Sequence, residues 1–447
     1  MAKLKQLLFG LLMLMLGLPL LQRTVPVFDV SPLKGSFQEP VKPGATLQSV
    51  FSGSFQEDYN DYYEHSIGFR PLLVRLNNQL DFWLFDTARA AGVVVGRDNY
   101  LFEINYIKAW KGWDFSGYAA IEEQARKAAL VHEKLQAAGK TLVFVLAPGK
   151  ASFFPEKIPA RFLDRPSGEA TNYAVIRETF AKQALPVIDF NDWFVKMKDT
   201  ATYPLYPQCG IHWSAFGVAL AVDSLISYIE RSRGIDMVDF WWDGFDLPDT
   251  LRSPDYDVAE GMNLLFTIPH YPMAYPRLRF GSDEGKVKPD AIVVSDSYYW
   301  NIYGSGISSR LFADDNFWYY NEQVHNPNYP EPRKTSGLDL MEELGRADVI
   351  IIMATEANLY RFPYGFVDMV YDALNEGQVP APSQPPAAGF PGKDEAIAGI
   401  MKSIDADPGY RASIREKATA KGITYEEMLR LDAGWIWEQK QKSSGNK

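Results

Sequence analysis

Two residues in this sequence have the types and settings for nucleophilic chemistry: Ser297, in "AIVVSDSYYW", and His212, in "LYPQCGIHWSAFG". An apolar run leading into Ser295-Asp296-Ser297 sets a hydroxyl just past a strand end, where open parallel sheets gather their functional groups. A backbone N–H at such a place suits an oxyanion hole. Serine is also a common capping and turn residue, so position alone does not make Ser297 a nucleophile. His212 is one of five histidines and lies in a loop ahead of an apolar helical run. A neutral imidazole is suited to take the serine proton. A strand-end serine and a loop histidine in one α/β chain form a candidate catalytic dyad.

Their neighbours supply further candidates. Asp296 adjoins Ser297, and the alternation of side chains along a strand turns it away from the serine. That suits a residue positioning the serine loop better than a triad member. Lys150, in "APGKASFFP", follows an apolar strand and faces toward the same cleft in this reading. A nucleotide loop of the form G-x-x-x-x-G-K-[ST] is excluded, because Phe144 stands at the first glycine position and Ala151 follows the lysine. "NFWYYNEQVHNP" brings Trp318, Tyr319, Tyr320 and Asn321 together, either as a sugar platform with an oxyanion donor or as ordinary core packing. The candidate substrate contacts are therefore Lys150, Trp213, Tyr298, Tyr319 and Asn321. His65, His132, His270 and His325 have no metal-ligand spacing, and "HEKLQ" at His132 lacks the second histidine of H-E-x-x-H. No metal and no cofactor is expected. Cys209 is the only cysteine, so neither an internal disulfide nor a cysteine zinc cage can form, and it reads as a buried spectator.

The elements that must position these groups alternate between helix and strand. Amphipathic spacing predicts a helix over 118–138 closed by Gly139, and "TLVFVLAP" predicts a strand over 141–148 buried on both faces. Helix 170–183, strand 185–190, helix 214–231 with Ser214 as N-cap, strands 290–297 and 347–356, and helix 365–376 follow. That order predicts an α/β fold around a mainly parallel sheet flanked by helices. Ahead of it, 45–105 reads as a helical lead-in ending in a hairpin, "GVVVGRDNYLF", that turns at Asp98-Asn99. Behind it, 377–393 is a Pro/Gly/Ala linker. Residues 394–447 form a small helical tail whose last helix opens on a capping box, Thr424 with Glu427.

At 447 residues, with 47% hydrophobic and 23% charged residues, the chain is globular in composition. Its net charge of −11 lacks the basic footprint that a nucleic-acid binder needs. Aromatic residues, 14% of the chain, suit sugar-lined clefts and apolar cores alike. Residues 1–23 carry Lys3 and Lys5 ahead of an apolar stretch from Leu7 to Leu21, with no A-x-A site after it. This predicts an uncleaved signal anchor or transmembrane segment, although so short a stretch falls below the ~20 residues of a full span. The expected location is the bacterial periplasm, anchored to the cytoplasmic membrane.

"GIHWSAFG" followed by "VVSDSYYW" resembles the SGNH-hydrolase-like domain of the alginate O-acetyltransferase (AlgJ/AlgX-like) family. "HSIGFRPLLVRLNNQL", "VVVGRDNYLFE", "LVFVLAPGKASFFPEKIP" and "NFWYYNEQV" are similar to it too, and the likeness spans about residues 60–365. The resemblance implies an SGNH-hydrolase-like domain over 24–376, with Ser297 at the nucleophile's position and His212 at the base's. It implies an O-acyltransferase that moves an acetyl group to a hydroxyl of an exopolysaccharide or cell-wall glycan through an acyl-serine intermediate. A membrane-bound O-acyltransferase would be the partner that supplies the acetyl group. Lys150 falls on the family's P-x-K segment near the site. One position departs from the pattern: two residues before the histidine the family has Asp, and this chain has Gly210. Either another carboxylate, Asp189 or Asp255, orients His212, or a Ser–His dyad works alone, or the domain is a non-catalytic glycan-binding scaffold of an acetylation and export machine. The loss matters, because removing such a carboxylate costs about 10⁴ in rate in a serine triad. A carbohydrate acetylesterase would use the same two residues, so transfer and hydrolysis both stay open.

Overall fold

The computed structural model describes residues 2–35, 41–378, 380–382, 393–406 and 408–443. They form two compact units, one made of residues up to 95 with 257–269, the other of 96–256 with 270 onward. The linker expected at 377–393 lies largely outside the described residues.

In the larger unit the main sheet follows the order Arg333–Lys334, Gln323–His325, Asp315–Tyr319, Ala291–Ser295, Val349–Thr355, Thr141–Ala147, Val187–Asp189. The last five strands are mutually parallel, and at one edge Gln323–His325 pairs antiparallel with both Asp315–Tyr319 and Arg333–Lys334. The β-branched runs explain the centre: every residue of Val349–Thr355 is buried, as a parallel strand covered on both faces requires. Leu142, Phe144 and Leu146, with Ile350 and Ile352, share one face and one core with helix Tyr118–Ala137. That helix presents Ile121, Ala125, Ala128, Val131 and Leu135 at helical spacing. Each large side chain buried there contributes about 1.5–3 kcal/mol. Helices Phe190–Met197 and Ala215–Arg233 also pack against Thr141–Ala147. Because the strands are parallel, Ser295, Tyr319, Thr355, Ala147 and Asp189 all end at one edge of the sheet.

Three differences from the sequence reading have physical causes. The serine strand ends at Ser295, because Asp296 caps a 3-10 turn at Ser297–Tyr299. "NFWYY" is a strand paired with Ala291–Ser295, and Phe317 and Trp318 are buried in it, so Trp318 belongs to the core and not to a sugar platform. An antiparallel ribbon, Phe240–Asp246 with Tyr275–Phe280, was not foreseen. The tail is three helices, Lys393–Ala406, Pro408–Lys421 and Tyr425–Ser443, around their own core of Ile397, Ile404, Ile414, Met428 and Leu429. The capping box is present: Thr424 N–H donates to Glu427 Oε2 at 2.8 Å and Glu427 N–H to Thr424 Oγ1 at 3.2 Å.

The smaller unit begins with helix Ala2–Thr24, 23 residues long. It extends beyond the apolar stretch on both sides, and at 1.5 Å per residue it measures about 34 Å, more than the ~30 Å of a bilayer's hydrocarbon core. Its exit is tied down. Gln22 holds Phe28 through its amide, Arg23 lies over the rings of Tyr62 and Tyr63, and Arg75 donates to the carbonyls of Ser31 and Pro32. Gly68 lets the chain pass close by: a Cβ there would lie 2.2 Å from the Pro19 carbonyl oxygen. Helix Arg70–Phe85 reverses the usual amphipathic order. Asn78 and Gln79 face inward and bond the backbone of Met262 and Phe266, while Leu72, Leu73, Leu76, Leu80, Trp83 and Leu84 are exposed along the other side.

Gly68→Val should force the end of the first helix off its seat. The expected cost is about 1–3 kcal/mol, as for other overpacked sites, read as a lower melting temperature of the full chain in detergent. An unchanged melting temperature would mean that this close approach is not held in solution.

Candidate active site

Ser297 opens the 3-10 turn just beyond its strand, and His212 ends the loop before helix Ala215–Arg233. The His212 Nε2 atom lies 3.0 Å from Ser297 Oγ, and both residues are only half-buried. This is hydrogen-bond distance for a base and the hydroxyl it serves. The turn is pinned by Asp296, which is fully buried. Asp296 accepts from Tyr298 N at 3.1 Å, Thr355 N at 2.8 Å, Asn358 Nδ2 at 2.9 Å and Tyr364 Oη at 3.3 Å. Its carboxylate therefore serves the backbone of the serine turn and the end of the neighbouring strand.

The histidine loop is held just as firmly. The buried Tyr298 hydroxyl donates to the Ile211 carbonyl at 2.7 Å, and lies 2.7 Å from the Tyr206 hydroxyl. The residue after the serine thus grips the residue before the histidine. Lys150 was expected to meet substrate, but it is completely buried, and its Nζ donates to the carbonyls of Gln208 at 2.9 Å and Gly210 at 2.5 Å. A buried ammonium needs such acceptors, and here they belong to the loop that carries His212. Ser214 caps the following helix by accepting from Gly217 N at 2.9 Å.

The carboxylate candidates part company. Asp189 caps helix Phe190–Met197 through Asp192 N at 3.0 Å and takes the Tyr173 hydroxyl at 2.8 Å. Its strand stands three places from the serine strand, about 14 Å across the sheet at ~4.8 Å per strand. It is a cap, not the partner of His212. Asp255 is buried, and its backbone abuts the histidine loop. A Cβ on Gly210 would sit 2.5 Å from the Pro254 carbonyl oxygen and 2.8 Å from the Asp255 carbonyl carbon. The missing side chain at 210 is what admits this segment.

Residues 93–239 match the model of the SGNH hydrolase-like domain of the acetyltransferase AlgX. Over that stretch the sequence is similar to an AlgJ/AlgX-like SGNH domain. The matched stretch contains His212 and ends before Ser297. Among solved structures, the O-acetyltransferase domain of Pseudomonas putida AlgJ aligns at 16% identity over 63% of this chain and 99% of its own, with a TM-score of 0.42. Pseudomonas aeruginosa AlgX aligns at 13% identity over 62% of this chain and 67% of its own, with a TM-score of 0.36. Bacillus cereus PatB1 does so at 13% identity over 56% and 93%, with a TM-score of 0.34. No curated protein matches the chain significantly.

Within this SGNH-like domain the remaining candidates are placed as follows. Trp213, expected at substrate, is fully buried against Phe190, Phe194 and Tyr298. Tyr298 is buried as well, so its role is the loop tie and not a substrate contact. Tyr319 is half-buried beside Tyr320 and Trp300, in register with Ser295. Asn321 turns the chain at φ 57° and donates to the Tyr364 carbonyl at 3.2 Å. Cys209 is buried, which raises its thiol to about 11. No metal-ligating cluster of histidine, cysteine or acidic groups occurs among the described residues. Sequence reasoning missed Tyr206, Asn358 and Tyr364. Asn358 lies three residues past a strand end, a setting close to the one that had singled out Ser297.

Glu356, beyond the end of Val349–Thr355, is buried and accepts from Ser152 Oγ at 2.5 Å. Gly149 makes room for it: a Cβ there would lie 2.1 Å from Glu356 Oε2. Burial lifts its carboxyl from an ordinary 4.5 to about 7.

Two outcomes follow from this geometry. Gly210→Asp restores the family residue but should drive out the Pro254–Asp255 peptide, lowering stability by about 1–3 kcal/mol and slowing fluorophosphonate labelling of Ser297; faster labelling would contradict the packing. The raised Glu356 means that the folded chain keeps a proton which the unfolded chain releases above its lower value. Its stabilising share is therefore complete below about pH 4.5 and falls, by up to about 3 kcal/mol, as pH rises to about 7. Glu356→Gln should melt like the parent at the acid end and several degrees higher above about pH 7; a pH-independent difference would rule this out.

Proposed function

We propose that the protein is an O-acetyltransferase of exopolysaccharide or cell-wall glycan, working through an acyl-serine at Ser297. The observation that carries this reading is the 3.0 Å contact between His212 Nε2 and Ser297 Oγ, in a chain whose residues 93–239 match an AlgX-type domain. Ser297 Oγ attacks the acetyl carbonyl as His212 Nε2 takes its proton. The leaving group departs with that proton. A sugar hydroxyl then attacks the acetyl-serine, giving its proton to His212 while Ser297 Oγ is expelled and reprotonated.

The N–H of Tyr298 is engaged by Asp296, and that of Tyr299 by the Asp296 carbonyl at 3.4 Å. The N–H of Ser297 itself is therefore assigned to the oxyanion, a kind of contact worth about 3–4 kcal/mol. Asp255 is assigned the orienting role, because Gly210 brings its peptide against the histidine loop. Tyr319 and Asn321 stand at the same sheet edge and are assigned to the acceptor side.

The smaller unit is assigned to the periplasmic face of the cytoplasmic membrane. Helix Ala2–Thr24 is long and apolar enough to span, and the exposed leucine face of helix Arg70–Phe85 meets the bilayer beside it. A membrane-bound O-acyltransferase would deliver the acetyl group there.

The test is acetyl release from p-nitrophenyl acetate by the full chain in detergent. Ser297→Ala and His212→Ala should each lose about 10³-fold or more. Asp255→Asn should lower kcat while leaving KM and the melting temperature near the parent's. Equal, background rates in the parent and both dyad variants would sink the acyl-serine reading in favour of a non-catalytic glycan-binding subunit. Where release occurs, acetyl transfer to an added polysaccharide separates the transferase from an esterase.

A further inference from the structure

A cavity of about 570 Å³ lies between the three-helix tail and the body of the larger unit, within the ~300–1,000 Å³ of ligand sites. None of its lining residues belongs to the Ser297–His212 site. Its walls are unusually rich in flat rings. Trp193, Trp241 and Trp242 come from the body, and Tyr410, Trp435 and Trp437 from the tail. Trp435 is 45% exposed, a large ring surface that this site leaves to solvent.

The polar lining narrows the occupant. Asp223, Glu230, Asp236 and Asp239 face Lys286 and Lys402, four acids against two bases. Lys286 is already committed to Asp236 at 2.7 Å and Asp239 at 3.2 Å. A polyanion such as a uronate chain would meet net repulsion here. A hydrocarbon chain would bring no donor to these carboxylates in place of the water it displaces. A sugar ring suits both the rings and the acids: its C–H face lies flat on an aromatic ring, and its hydroxyls donate to carboxylates.

We propose that this cavity is a second, non-catalytic binding site for an uncharged glycan chain, formed jointly by the tail and the body. The choice of glycan as ligand class rests on the function proposed above, but binding requires neither Ser297 nor His212.

The experiment is calorimetric titration of the full chain, in a detergent without a sugar headgroup, with cellopentaose, chitopentaose and an oligouronate of equal length. A Ser297→Ala background removes turnover. One or both neutral oligosaccharides should bind, the oligouronate should not, and Trp435→Ala and Trp241→Ala should each weaken binding by about tenfold. Trp435→Phe should bind nearly as the parent does, which separates loss of the ring from loss of the fold. No neutral binding, preference for the uronate, or binding indifferent to both tryptophans would overturn the site. Background esterase rates in the parent chain, with tryptophan-dependent binding retained, would count against the acyl-serine alone.

Discussion

The hydrogen bond from the Tyr298 hydroxyl to the Ile211 carbonyl fastens the two halves of this site. Ser297 and His212 are 85 residues apart in sequence, on elements with no covalent reason to keep step. A nucleophile and its base need placement to a few tenths of an ångström, and misplacement by about 1 Å costs about 10²-fold in rate. Tyr298 meets that demand by direct succession: it follows the serine, and its hydroxyl grips the residue before the histidine. Being fully buried, this bond is strengthened by the low dielectric around it and would be costly to break.

The same logic extends outward in two directions. On the serine side, Asp296 gathers donors from its own turn, from the end of Val349–Thr355 and from Asn358. A buried carboxylate is stable only when several donors surround it, so the serine turn can hold just one position relative to the central strand. On the histidine side, Lys150 does the reverse with two carbonyls. The strand that leads into Lys150, Thr141–Ala147, is the immediate neighbour of Val349–Thr355. One sheet edge thereby holds both loops, the serine's through a buried anion and the histidine's through a buried cation. The parallel register supplies the coarse alignment, and the polar pins supply the fine one.

What was legible in the sequence was what depends on local pattern. The β-branched runs disclosed the central strands, helical spacing disclosed Tyr118–Ala137, and serine or threonine before an apolar run disclosed the caps at Ser214 and Thr424. Ser297 and His212 were singled out because both stand at element boundaries, and the fold brings them within 3.0 Å of each other. Lys150, Trp213 and Tyr298 were misplaced for a common reason. Their partners lie far along the chain, 58 and 60 residues for the lysine and 87 for the tyrosine, and no spacing rule reports such distances. Proximity to a catalytic residue was taken as contact with substrate, whereas these side chains face backward into the packing that holds the site. The strand Asp315–Tyr319 escaped because a run of aromatic residues looks alike in a core and on a binding face.

Gly210 shows how a motif position can exchange a side chain for the close approach of another backbone. An aspartate two residues before the histidine orients the ring from within its own loop. Glycine gives up that carboxylate but permits something no other residue could: the Pro254–Asp255 peptide lies where a side chain would have been. The loss and the approach are one structural event, since a Cβ at 210 and that peptide cannot share the space. A carboxylate brought in on a separate segment must be held by packing instead of by covalent neighbours, and Asp255 is accordingly buried. Judged by motif alone, Gly210 marks a degenerate site. Judged by what occupies the vacated volume, it marks the close approach of a separate segment, Pro254–Asp255, to the histidine loop.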